Sequence, residues 1–268
     1  MTATPTPPAI SLRGVEKVFD AAGGDVVALQ DIDLDIPKGS FISLLGPSGC
    51  GKSTLLRVIG DLIKPTTGEV QVSGHSAAEA RKRREYGMVF QQPGLMEWRS
   101  VRRNVEVPLQ VQGVGRSTRR RVSAQMLELV RLEAFGDHYP RQLSGGMQQR
   151  AAIARALSFE PQLLLMDEPL GALDEMNREY LQGELLRIWR STGTTIVFVT
   201  HSVSEAVFLS SEVVVMSPRP GRIASRIPID LPYPRTPETR MSQQFHDVEA
   251  NVRSALHAVL DPATQVAA

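Results

Sequence analysis

The sequence predicts an α/β fold with a parallel sheet at its core, an antiparallel β opening and an inserted helical subdomain, and three features carry that expectation. Two short buried-strand runs, Leu163-Leu164-Leu165-Met166 and Thr195-Ile196-Val197-Phe198-Val199, bracket a helical stretch from Asn177 to Ser191, as a parallel βαβ crossover requires. A third run, Phe41-Ile42-Ser43-Leu44-Leu45, ends in a glycine-rich turn and feeds the helical pattern Thr54-Leu55-Leu56-Arg57-Val58-Ile59. Finally, 268 residues that are 42% hydrophobic and 22% charged suffice to bury the core of one large α/β domain.

Taken in order, the Pro/Thr-rich start from Thr2 to Pro8 reads as a disordered lead, assigned to residues 1–9. Ile10-Ser11-Leu12 and Val26-Val27-Ala28-Leu29 read as short strands around a turn from Ala21 to Asp25. From Arg81 to Arg121 the chain is basic and loop-rich, and it runs into an amphipathic helix with Val122, Met126, Leu129 and Val130 at helical spacing. This is the helical subdomain, about residues 92–145, inserted in a main domain over 10–228. The remainder, 229–268, is Pro-punctuated after Ile227 and helical from about Arg240 to Val259.

Composition narrows the function classes. The formal charge is +1, from 30 basic and 29 acidic side chains, so no global field holds the protein on nucleic acid or anionic lipid. The runs Arg81-Lys82-Arg83-Arg84 and Arg119-Arg120-Arg121 read as solvated faces. The single cysteine, Cys50, has no internal disulfide partner and supplies no zinc cage, which fits the cytosol. Residues 1–10 lack a basic, apolar signal pattern, and no window approaches the run of about 18 apolar residues that spans a bilayer.

Gly46-Pro47-Ser48-Gly49-Cys50-Gly51-Lys52-Ser53, with Thr54 opening the helix, has the spacing Gly, four residues, Gly, Lys, Ser between an expected strand and an expected helix. Glycines let backbone N–H groups converge on phosphates, and the helix N-terminus adds a positive dipole end. Lys52 then reaches the β/γ-phosphates and the Ser53 hydroxyl ligates Mg²⁺, which makes this a P-loop NTPase core. Met166-Asp167-Glu168-Pro169 places two carboxylates at the carboxyl end of a parallel strand, where open α/β sheets bind ligands. Asp167 is expected to hold Mg²⁺ and Glu168 to act as general base on the attacking water.

Between these motifs, Leu143-Ser144-Gly145-Gly146-Met147-Gln148-Gln149-Arg150 is a second Gly-rich turn opening a helix, an anion site with no phosphate left to hold in its own chain. Here the sequence closely resembles the ABC transporter ATPase family, over about Ile10 to Ile223. The resemblance implies that two copies pack head to tail as a homodimer, Ser144, Gly145 and Gly146 of one closing over the ATP held by the other. It further implies that Phe19 stacks on adenine, that Gln91 touches Mg²⁺ and the attacking water while linking two lobes, that Asp174 in Gly171-Ala172-Leu173-Asp174 communicates across the dimer, and that His201 meets the γ-phosphate. Ser202 stands where many relatives carry Asp.

Within that family, the lack of a fused membrane domain, of a second cradle and of a long heptad insertion points to importers. Val89-Phe90-Gln91-Gln92-Pro93-Gly94-Leu95 with Trp98, and Ser217 to Ile223, resemble the nitrate/sulfonate/taurine branch, although Met96-Glu97-Trp98 replaces its usual Leu-Pro-Trp. The implied partners are two membrane permease subunits, contacted by Leu95, Met96 and Trp98 unless these are lobe core, and indirectly an extracytoplasmic solute-binding protein. Nucleic acid is not expected as a partner. The implied place is the cytoplasmic face of the inner membrane, as a peripheral subunit. The competing class is a soluble ABC-type ATPase in nucleic-acid repair or assembly, which requires stimulation by DNA or RNA.

Overall fold

The structure is a computed structural model that describes residues 7–20 and 24–260. Most of the expected lead, and Ala21 to Gly23 of the expected turn, lie outside the described residues. Among the described residues ten strands, β1 (Ile10–Phe19), β2 (Val26–Ile36), β3 (Phe41–Leu45), β4 (Thr67–Val72), β5 (His75–Ser76), β6 (Tyr86–Val89), β7 (Leu163–Asp167), β8 (Thr195–Val199), β9 (Glu212–Met216) and β10 (Ile223–Pro228), form two sheets. One is antiparallel in the order β2-β1-β4-β5; the other runs β10-β9-β3-β8-β7-β6, parallel from β9 to β6.

Among the described residues nine α-helices accompany them: α1 (Lys52–Ile59), α2 (Ala77–Arg83), α3 (Val101–Val105), α4 (Val107–Val111), α5 (Arg116–Leu129), α6 (Gly145–Leu157), α7 (Glu175–Thr192), α8 (Val203–Leu209) and α9 (Gln243–Leu260). The parallel strands are mostly apolar because both of their faces are covered. Ile42, Leu44, Val197, Val199 and Leu165 join α1 and the antiparallel sheet in one core. Phe41, Phe198, Ile196, Leu164 and Met166 join α6 to α9 in the other, together with Val101, Val105 and Leu127 of the helical insertion. The insertion therefore shares the core of the sheet rather than owning one.

Two local expectations are corrected. The opening strands are ten and eleven residues long, not three and four, because β1 changes register between Leu12 and Val15, where Gly14 sits at φ 53°, and the bulge breaks the strict alternation that marks a strand in sequence. Within the stretch read as loop-rich, α2, β6, α3 and α4 are formed, and the buried face of α5 is centred on Ser123 and Leu127, with Val122, Met126 and Leu129 at its margins. The Ser123 hydroxyl donates to the Arg120 carbonyl, which satisfies the one polar group on that face.

The insertion is fastened at its start by Asn104, which is fully buried. Its Oδ1 accepts from the Met96 amide at 2.7 Å, and Nδ2 lies 3.1 Å from the carbonyls of Met96, Arg99 and Ser100. Leu95 packs on the large core while Trp98, in the loop Asn104 holds, is 77% exposed. Truncating Asn104 strands several buried backbone groups at once, so Asn104→Ala is expected to cost about 2–4 kcal/mol in urea unfolding, several times a surface amide deletion.

Candidate active site

The cradle is built by the step from β3 into α1. Gly51 caps the helix at φ 104°, and a Cβ there would lie 2.8 Å from the Ala28 carbonyl oxygen. At Gly46 a Cβ would come within 2.8 Å of the Met216 carbonyl oxygen and 2.9 Å of Cys50 Sγ. The turn therefore tolerates side chains at neither position. Cys50 is buried as a small filler of the loop. Lys52 curls back over the turn, its Nζ donating to the carbonyls of Gly46 at 2.8 Å and Pro47 at 2.9 Å.

The acidic pair meets the cradle from β7. Two strand spacings separate β3 from β7, roughly 10 Å, so the loop after β3 must arch over the end of β8 to reach it. It does so: the Ser53 hydroxyl donates to Asp167 Oδ1 at 2.6 Å. Asp167 is 1% exposed, and burial pushes its carboxyl above the usual range despite the opposing Ser53 bond. Glu168 sits at φ 45°, a left-handed conformation that costs a non-glycine residue about 1–2 kcal/mol. Its amide is anchored to the Val199 carbonyl at 3.0 Å. The strained turn aims its carboxylate at the cradle, where Oε2 accepts from Gln91 Nε2 at 3.1 Å and lies 3.7 Å from His201 Nδ1.

These groups border one cleft of about 550 Å³. Phe19, at the end of β1, forms one wall and is 37% exposed; Ser48, Gly49, Gly51, Lys52, Ser53 and Thr54 form the floor. Gln91, Glu168 and His201 form the opposite wall. Gly46, Pro47, Cys50 and Asp167 support this lining from behind. Arg219 also lines the cleft, its guanidinium 3.4 Å from the Gly49 carbonyl oxygen. Sequence reasoning used the surrounding Ser217 to Ile223 run only as a subfamily mark, since nothing local ties a residue in the β9–β10 hairpin to the loop after β3.

Ser144, Gly145, Gly146 and Asp174 do not border this cleft. Ser144 is exposed and caps α6, accepting from the Met147 amide at 3.3 Å. A Cβ on Gly146 would come 3.1 Å from the Ala172 carbonyl oxygen, so the second glycine turn rests on the loop that carries Asp174. Asp174 caps α7 through the Asn177 amide at 3.1 Å and the Asn177 side chain at 2.6 Å, and these bonds hold its carboxyl below the usual range. Ser202 caps α8, accepting from the Glu205 amide at 3.3 Å, a task that an aspartate would perform equally.

Two further residues were not legible in the sequence. Gln149 Nε2 donates to the Phe90 carbonyl at 2.9 Å, and Arg155 donates to the carbonyls of Pro93 at 2.9 Å and Gly94 at 2.7 Å. Together they tie α6, which the second glycine turn opens, to the segment that carries Gln91. No sequence spacing announces such side-chain-to-backbone ties.

Comparison with known proteins follows the same outline. The family model described as ABC transporter matches residues 29–171. The chain is 45% identical to a taurine import ATP-binding protein of Roseobacter denitrificans, over 80% of each chain. It is 40% identical to an aliphatic sulfonates import ATP-binding protein of Bacillus cereus, over 91% of this chain and 94% of that one. A dimeric ATP-binding cassette solved in a post-hydrolysis state with ADP and Pi superposes with a TM-score of 0.78 at 35% identity, covering 83% of this chain and 99% of the other. With its cradle, acidic pair and second glycine turn arranged on this fold, the chain belongs to the ABC transporter family.

Proposed function

We propose that the chain is the ATP-hydrolysing subunit of an importer, working as a head-to-tail pair beneath two permease subunits on the cytoplasmic face of the inner membrane. One observation carries the ATPase reading: the glycine cradle, the buried Asp167, and the Gln91–Glu168–His201 group, drawn from four separate chain segments, converge on one cleft. The import side is supported by the taurine and sulfonate relatives. The solute is then a small sulfonate, taurine, nitrate or similar compound, selected by an extracytoplasmic binding protein.

Each residue in the cleft has a task in that reading. Phe19 offers a ring face to adenine, and Lys52, Arg219 and the backbone of the cradle neutralise the phosphates. Glu168 accepts the proton of the attacking water as its oxygen bonds to the γ-phosphorus and the bridging oxygen leaves with ADP. Gln91 holds both water and Glu168, and His201 donates to the γ-phosphate. The residues also fit Mg²⁺: Asp167 is a buried carboxylate served by one hydroxyl, and the donors Ser53, Asp167 and Gln91 are all hard oxygens. Ser53, Asp167 and Gln91 would be the residues that hold it beside the phosphates. Bound Mg²⁺ supplies neutralisation of charge on the phosphate oxygens.

The pairing reading rests on the exposed turn at Ser144, which has helix-end N–H groups but does not border the cleft of its own chain. For the permease, the exposed rings and methyls of Trp98 and Val111 lie on the helical insertion. Val111 borders a hollow shared with Tyr86, Pro108 and Phe159, apolar in lining and rimmed by Arg81 and Arg84. Among the described residues no helix is long and apolar enough to cross a membrane, so membrane attachment is assigned to these partners.

Glu168→Gln keeps the shape of the site and removes the base, so hydrolysis is expected to fall by about 10²–10⁴ while ATP affinity stays within a few-fold. Equal turnover by wild type and variant in a phosphate-release assay would remove Glu168 from the role of base. Lys52→Ala removes the buried ammonium that the cradle grips and is expected to weaken ATP binding by at least about tenfold in a fluorescent-nucleotide titration. For the transport reading, the tagged chain extracted from native membranes in mild detergent is expected to carry a polytopic permease with it. Recovery of soluble proteins or nucleic acid alone, with good yield, overturns the importer assignment.

A further inference from the structure

The His201 ring is two-thirds exposed, yet the backbone that presents it is enclosed by buried polar groups that lead away from the cleft. Thr200, 2% exposed, donates its hydroxyl to Glu205 Oε2 at 2.6 Å and accepts from the Ser202 amide at 3.0 Å. Glu205 Oε1 accepts from Gln182 Nε2 at 3.4 Å, and Gln182, on α7, is 1% exposed. Gln182 Oε1 in turn accepts from Arg240, which lies beyond the last strand in the 3₁₀ turn Pro237–Met241. Arg240 also donates to Ser204 Oγ at 3.0 Å and stacks 3.9 Å above the Phe208 ring.

A second arginine of the same segment grips the other end of α8. Arg235 is 5% exposed, and one guanidinium nitrogen donates to the carbonyls of Val207, Phe208 and Ser210 at 2.8, 3.0 and 2.9 Å. The segment thus holds the helix that begins two residues after His201 at both of its ends.

Apolar contact alone would anchor the tail: Phe245 and Val252 of α9 are already sunk in the core. Burying a guanidinium and a carboxylate in addition costs desolvation energy, and what such groups supply that apolar ones do not is fixed direction. The direction here is that of the Thr200–His201 loop, whose imidazole stands 3.7 Å from Glu168. We propose that the Arg235–Arg240 segment sets the position of His201 through α8 and the Arg240–Gln182–Glu205–Thr200 chain, making Arg240 a positioning residue for ATP hydrolysis. The proposal rests on the ATPase reading of the cleft, and it makes the tail a place from which turnover can be slowed without touching the nucleotide.

The test compares full-length wild type, Arg240→Met, and Val252→Ala, which loosens the same tail by a cavity without removing any member of the chain of bonds. Amide exchange in residues 199–205 is expected to quicken by about tenfold in Arg240→Met and to stay near wild type in Val252→Ala. In the same proteins, kcat for ATP is expected to fall by about tenfold in Arg240→Met alone, with KM within about twofold, because Phe19 and the glycine cradle, which make up most of the cleft's nucleotide contacts in the proposed reading, are untouched. Unchanged exchange in Arg240→Met, or equal loosening and equal loss of kcat in Val252→Ala at matched Tm, overturns the proposal whether or not ATP is hydrolysed. Selective loosening in a protein whose wild type hydrolyses no ATP overturns the ATPase reading instead, and with it the catalytic role of Arg240.

Discussion

Burial of the parallel strands on both faces is the constraint from which the site follows. β3, β8 and β7 have no water-facing side, so their backbone groups must pair with one another and the strands must run in register. Register brings Leu44, Val199 and Asp167 to the same edge. Gly46, Thr200 and Glu168 each follow one of these strand ends. The glycine turn, the acidic pair and the histidine loop are therefore neighbours because three strands end together, although more than a hundred residues separate the first from the second.

The edge also explains where strain is tolerated. Glu168 holds a left-handed backbone directly after Asp167, and its amide is tied to the Val199 carbonyl of the adjacent strand. A rigid sheet can sustain that conformation where a free loop would relax. The neighbouring Asp167 is buried with a raised pKa, so the edge couples a strained carboxylate exposed to the cleft with a buried one behind it. Environment gives two adjacent acids different tasks.

A second theme is that much of the chain outside the cleft serves to hold its borders. Gln149 and Arg155 reach from α6 to the backbone beside Gln91, and Asn104 knots the loop that bears Trp98. Arg235 and Arg240 clasp α8 from the tail. All five are polar side chains: Asn104 bonds the backbone just ahead of its own helix, while the other four reach segments far away in the chain. Such links let motion of one helix reach the cleft by a contiguous physical route.

The elements legible in sequence were those with local causes. The apolar runs of β3, β7 and β8, the Gly46–Ser53 spacing, and the caps at Ser144 and Asp174 declare themselves through neighbours in the chain, because backbone conformation, phosphate-binding geometry and helix capping are settled within a few residues. Hidden features had non-local causes: the bulged length of β1, the place of Arg219 beside Gly49, and the bonds from Gln182 and Arg240 to α8. A polar side chain bonded to a carbonyl or carboxylate tens of residues away looks, in sequence, like any solvated one. Only tertiary packing removes the water and supplies the partner, so the sequence by itself determined which residues could do chemistry, and the fold decided which of them meet and what holds them there.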